Sequence, residues 1–171
     1  HMKIPRIGQF SSAGPFFYGP WWYWLLEFFS LFPLGKLTQW YFTSLLSFGF
    51  IFLIFKVGYE IGGIWLGAVA ALLAAISPAQ INNSFAVWNP SGVPILVLLC
   101  LWFLVKYLKQ RKRILILWFG FFIGLALTVH FQSLLILPIL FITLFMIGFS
   151  VKNFILLVLG LIIPFFTIND I

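Results

Sequence analysis

The stretch VPILVLLCLWFLVKYLKQRKRILILWFGFFIGLALTVH, residues 93–130, decides how the chain is built. Two apolar runs, 93–108 and 114–130, enclose five bases between Lys106 and Arg113. A helix needs about 20 residues, within a range of about 17 to 25, to cross a ~30 Å hydrocarbon layer. The two runs therefore read as short spans joined by a tight basic turn. Short loops rich in Lys and Arg stay on the cytoplasmic side of a membrane, so this turn is placed in the cytoplasm. The net charge of +7 is consequently read as topology, not as a nucleic-acid surface, because half of the bases sit in this one turn. Only 8% of the residues are charged and 63% are hydrophobic. A soluble domain carries about 25% charged residues, so composition argues against one. Cys100 is the lone cysteine, which leaves no disulfide framework and no paired-cysteine site.

Working outward, four further runs reach or approach spanning length: 37–57, 61–77, 133–149 and 153–168. The expected fold is all-α, a polytopic bundle of about six spans over residues 37–171. Residues 1–36 form an extracytoplasmic segment. Within it, PWWYWLLEFFSLFP (20–33) is short, carries Glu27 and opens with aromatics that favour the headgroup level. It reads as a helix lying in the outer interface, with Pro20 in its first turn and Pro33 past its end, the alternative being a seventh span. With Lys106–Arg113 inside, Lys56 and Lys152 also fall on inner turns, while Lys3, Arg6 and Lys36 lie outside. The outer face then collects the N-terminal segment, a loop over 78–92, the turn 130–133 and Asn169-Asp170. Glu60 is expected near Lys56 as a solvated charge, and Glu27 near Lys36.

Small residues recur every four positions at Gly63, Gly67, Ala71 and Ala75, and again at Gly120, Gly124 and Thr128. Such stripes let helices approach closely, either inside one bundle or between two chains. Pro138 and Pro164 are expected to kink their helices and shape a cavity. The sequence has no phosphate-binding glycine loop and no His/Cys cluster, so no cofactor is identifiable and a divalent metal has no support in the residues. Asn82-Asn83-Ser84 matches a glycosylation sequon, read as a chance match.

Several segments, taken in order, resemble one family. These are the Gly19-Pro20-Trp21-Trp22-Tyr23-Trp24-Leu25-Leu26 opening, the Lys56–Tyr59 turn, Ser77-Pro78, the Trp88-Asn89-Pro90-Ser91 loop, Gly124–Leu127 with His130-Phe131, and Leu134–Pro138. Together they are similar to polyprenyl-phosphate-sugar-dependent integral membrane glycosyltransferases of the GT-C type, the protein O-mannosyltransferase and lipid A aminoarabinose transferase group. The resemblance covers roughly residues 4–140. It implies a bacterial or archaeal plasma-membrane enzyme that moves a sugar from a polyprenyl-phosphate donor to an acceptor on the extracytoplasmic face. The family's catalytic carboxylate would lie upstream of His1, so the chain is read as truncated at both ends and inactive alone. Glu27 is the candidate substitute. His1-Met2 stays open between a cloning scar and native residues.

Substrate-binding candidates are Trp88 for stacking on the sugar, Asn89 and Ser91 on its hydroxyls, His130 with Gln132 on the donor phosphate, and Tyr18 and Tyr23 at the entrance. Lys36, Arg6 and His130 are phosphate candidates, and no metal ligands are assigned. The arginine that many members carry ahead of the Trp-Asn-Pro-Ser loop is absent here. The bland readings stand beside these roles: Trp88, Tyr18 and Tyr23 as interfacial anchors, Asn89 as a turn former, His130 as a helix-end histidine. The alternative function is a membrane transporter or lipid-carrier scaffold without transfer chemistry. A structural subunit docking through the small-residue stripes is a third.

Overall fold

The computed structural model describes residues 7–11, 14–15, 17–33, 35–138, 142 and 150–166, with Lys36 described by its backbone alone. Lys3, Arg6, Asn169 and Asp170, and residues 139–141 and 143–149 of the expected 133–149 span, lie outside the described residues. The architecture is all-helical, with an isolated bridge between Phe10 and Phe17 in the N-terminal segment. The helices are α1 (Trp21–Ser30), α2 (Thr38–Ala75), α3 (Pro78–Phe85), α4 (Val93–Gln110), α5 (Ile114–Val129) and α6 (Val151–Phe166). Short 3-10 turns cover Gly35–Leu37, Asn89–Gly92 and Phe131–Ile136.

Helix α2 is two arms. Gly62 and Gly63 leave helical geometry, and Gly63 has φ +79°, a value that only glycine adopts without strain. The chain reverses there. A Cβ placed on Gly58 would lie 2.8 Å from the Gly67 Cα, so the 38–61 and 64–75 arms touch backbone to backbone. The first arm thus extends past the expected end at 57, and the turn sits at Gly62–Gly63. Gly63 serves that turn and has open space around it, whereas Gly67 does the close packing expected of the stripe.

The expected outer loop 78–92 is largely ordered into helix. Pro78 occupies the first turn of α3, where its missing N–H costs nothing. α3 continues the return of the second arm along the first, and Thr43 Oγ1 donates to the Ser84 carbonyl at 3.0 Å. Asn82, Asn83 and Ser84, together with the sequon they form, therefore sit on a helix.

α4 and α5 match the two runs that opened the reading, to within two residues. Arg111, at φ +55°, closes α4 by donating its N–H to Tyr107 O at 2.8 Å, and the basic turn follows. α5 packs against α6 along glycines. Gly120 faces the Leu157 carbonyl, Gly124 the Leu161 carbonyl, and Gly160 the Leu117 carbonyl. The contact positions advance together, so the two helices run parallel. The second stripe is thus occupied within the chain. Cys100, Leu104, Ile116, Phe119, Ile123 and Leu157 form the core between α4, α5 and α6. Trp22, Leu26 and Phe42 form a second, smaller core where α1 lies on α2.

Two helical stretches, Thr38–Ala75 and Asn89–Gln110, are long and apolar enough to cross a membrane by length and composition, and α5 and α6 are shorter apolar helices. Large apolar side chains cover the outside: Trp65 is 82% exposed, Val151 75% and Phe48 68%. An outer surface of this kind is unusual for a monomer in water.

Pro164 lies inside α6 and is buried. Pro138 differs. Residues 131–136 form a 3-10 turn, so Pro138 falls at the first helical residues after it rather than in mid-helix.

Candidate functional site

The helices carry opposite chemistry at their two ends. At one end Lys109 Nζ pairs with Glu60 Oε2 at 3.0 Å, and Asn153 Nδ2 donates to Tyr107 Oη at 2.7 Å. The α2 turn, the α4–α5 turn and the start of α6 therefore meet there, bringing Lys56, Lys106–Arg113 and Lys152 to the same end. Lys106 lies over the Trp102 ring, 3.9 Å from its centroid. Glu60 takes Lys109 as its partner rather than Lys56, because the reversal at Gly62–Gly63 brings it opposite the end of α4.

The other end gathers the segments singled out in the sequence. Gly8 and Gln9 pair with Tyr18: Gly8 N–H donates to Tyr18 O at 2.8 Å and Tyr18 N–H to Gln9 O at 3.0 Å. Gly19 N–H then donates to Thr128 O at 2.7 Å, fastening this segment to the last turn of α5. The next residues enter α1. Trp21 Nε1 donates to Pro164 O at 3.1 Å, and the Trp22 ring lies on Gly92 so closely that a Cβ there would meet it at 2.7 Å. The aromatic opening of α1 thus seats on the ends of α5 and α6 and on the Asn89–Gly92 turn.

Tyr18 is buried, and its ring stacks on His130 with centroids 5.0 Å apart and planes 17° apart. His130 ends α5 by turning extended. Its Nδ1 accepts from Gln132 N–H at 3.3 Å, which starts the 3-10 turn. With Nδ1 an acceptor, neutral His130 carries its proton on Nε2. Desolvation holds its pKa below the ordinary 6.5. Ser133 Oγ donates to the Ala126 carbonyl at 2.9 Å, a second bond on an oxygen that already accepts the His130 N–H at 3.0 Å. A cavity of about 460 Å³ adjoins, with Tyr18, Thr128, Phe131 and Phe165 on its wall.

The Trp-Asn-Pro-Ser turn divides its residues by exposure. Trp88 is 59% exposed, while Asn89 and Ser91 are buried. Ser91 Oγ donates to Ala86 O at 2.6 Å, and its carbonyl accepts from Asn83 Nδ2 at 3.4 Å. Asn89 Nδ2 is buried with no partner among the described residues. Tyr23 and Glu27 are half-buried on α1, Gln132 is exposed, and Lys36 stands in the 3-10 turn ahead of α2. The structure brings Tyr18 and His130 into contact and places the Trp88 turn against α1 beside them. Arg6 lies outside the described residues. Among the described residues, no three His, Cys, Asp or Glu side chains cluster.

Sequence reasoning passed over Gln80 and Ser133 and gave Thr128 only a place in a packing stripe, though all three are buried at or beside this end. The signal for Gln80 was its place two residues after Ser77-Pro78, at the start of a helix read as a loop. Compared with known proteins, the chain matches no family model, no curated protein and no solved structure.

Proposed function

We propose that the chain is the membrane part of a glycosyltransferase that moves a sugar from a polyprenyl-phosphate donor to an acceptor on the extracytoplasmic face. In this reading the helices form a bundle of about six spans in a plasma membrane, with the basic end cytoplasmic and α1 in the outer interface. The observation that carries it is the convergence of three remote segments of the resemblance at one end. The Gly19-Pro20 opening, the Trp88–Ser91 turn and the Gly124–His130 element pack together through the Gly19–Thr128, Trp22–Gly92 and Tyr18–His130 contacts.

The chemistry follows from exposure and hydrogen bonding. Trp88 offers an open aromatic face to a sugar ring. Asn89 and Ser91, being buried, fix the turn that presents it. Neutral His130 offers Nε2–H to a phosphate oxygen at headgroup depth, and Tyr18 covers one face of its ring. Lys36 and Arg6 are the cations assigned to the donor phosphate. The acceptor hydroxyl needs a base within hydrogen-bond reach, and Glu27 is the candidate among the described residues at this end.

Trp88→Ala and His130→Ala in the full-length protein are expected to cut transfer at least tenfold while expression stays normal. Wild-type transfer by both folded variants would sink the assignment. One observation favours the scaffold reading: Glu27 and Glu60, the acids among the described residues, lie at opposite ends, so they form no carboxylate pair. Tight binding of a lipid-linked sugar without turnover on any acceptor would decide for the scaffold.

A further inference from the structure

A second cavity lies apart from Trp88, Tyr18 and His130. It is a groove of about 690 Å³ between the two arms of α2, α3 and the start of α4. Ile54, Ala70, Leu73 and Ala74 form its apolar walls, and Gln80 and Asn83 stand at its α3 end. Small alanines on the 64–75 arm open the space, and the bend at Ser77-Pro78 sets Gln80 across its head. Gln80 is 9% exposed, and its Nε2 is buried with no hydrogen-bond partner among the described residues. An amide donor left in that state costs free energy that a bound acceptor restores. Asn83 is already engaged with Ser91 O, so the open donor belongs to Gln80. A recess of about 10 Å³ beyond it, shared by Gln80, Asn83 and Ser91, has room for at most one water.

The occupant follows from these features. The size suits a small amphiphile. The walls call for an apolar chain and the head for a hydrogen-bond acceptor. No charged side chain is among the described residues lining the groove. A phosphate or carboxylate would be desolvated there without a counter-charge, at a prohibitive cost. We infer that the groove binds an uncharged acyl lipid, its chain between Ile54 and Ala70–Ala74 and its ester or amide carbonyl accepting from Gln80 Nε2. The groove meets the site assigned to sugar transfer through Asn83, whose amide donates to Ser91 O, and uses none of Trp88, Tyr18 and His130.

The test uses the full chain in nanodiscs and a monoacylglycerol carrying a diazirine in its acyl chain. Crosslinks are expected on the peptides holding Ile54 and residues 70–74. A monoacylglycerol competitor should remove them, and an alkyl phosphate of equal chain length should not. Gln80→Leu should weaken the ester competitor roughly tenfold, the loss of about one hydrogen bond, while leaving an alkane of equal length unaffected. Ala74→Phe should fill the groove and abolish labelling. If that variant fails to fold, the competitor selectivity of Gln80→Leu decides alone. Labelling spread evenly over the exposed helix faces would overturn the site. So would equal competition by the phosphate, or a Gln80→Leu variant with unchanged ester preference, in which case a single water satisfies the amide. Sugar transfer is scored separately with Trp88→Ala, so failure of one assignment is not failure of the other.

Discussion

Tyr18 lies flat on His130, ring centroids 5.0 Å apart and planes 17° apart, although 112 positions (130 − 18) separate them in the chain. The stack joins the folded-back N-terminal segment to the end of α5. It also removes water from one face of an imidazole whose Nδ1 is already accepting a backbone N–H.

That environment has a pH consequence. Desolvation lowers the His130 pKa below 6.5 in the folded chain. The unfolded chain therefore binds the proton more readily, and stability rises with pH through this window. The His130 contribution is fully present above about pH 6.5, falls as pH drops through that value, and levels off below the folded pKa. NMR titration of the imidazole should give a midpoint under 6.5, and Tyr18→Ala should return it toward the ordinary value. A midpoint at or above 6.5 in the wild type would contradict the desolvated geometry.

The contact between α5 and α6 is set by glycines. A Cβ at Gly124 would run into the Leu161 carbonyl and one at Gly120 into the Leu157 carbonyl, and backbone cannot step aside as a flexible side chain can. Gly124→Leu is expected to destabilise the chain by about 3 kcal/mol or more through overpacking. Gly35→Ala is the control for space, because nothing lies within 4 Å of its Cβ position, and its cost should come from its φ of +72° alone, about 1 kcal/mol. Thermal unfolding in detergent ranks the two, and equal midpoints would rule out the tight α5–α6 approach.

How much of this could be read from sequence depends on the kind of signal. The basic turn and its flanking helices were legible because an apolar run interrupted by clustered Lys and Arg has few other solutions. The Gly62–Gly63 reversal was obscured because Gly63 keeps step with Gly67, and spacing alone does not separate a packing glycine from a turning one. α3 was hidden because Gln80, Asn82, Asn83 and Ser84 are residues that loops also use. Only tertiary pairing, Thr43 with Ser84, distinguishes the helix. Trp88 and His130 were singled out by residue type, but the burial of Asn89 was not legible, since a four-residue 3-10 turn has no readable period. The orphaned amide of Gln80 belongs to a cavity, and cavities leave no pattern in a single chain.

At the basic end two polar contacts invite different expectations. Lys109 and Glu60 are 50% and 27% exposed along their side chains, so solvent screens the pair. Lys109→Ala should change stability by less than about 1 kcal/mol, and by less still in high salt. A loss well beyond that, measured at low and high ionic strength, would mean the pair is held in a drier setting than its exposure indicates.

Tyr107 and Asn153 are the contrasting case. Both are buried, Asn153 Nδ2 donates to Tyr107 Oη at 2.7 Å, and Asn153 Oδ1 already has no partner among the described residues. Tyr107→Phe removes the acceptor while keeping the ring that packs with Leu104, Phe119 and Leu157, so the lost energy is that of an amide stripped of its bond. The expected cost is about 1 to 3 kcal/mol, larger than for Lys109→Ala at the same end. The double variant Tyr107→Phe with Asn153→Leu should recover part of it, because the apolar pair leaves no donor unsatisfied. Chemical denaturation of the four proteins measures the coupling, and strictly additive losses would show that the two side chains do not depend on one another.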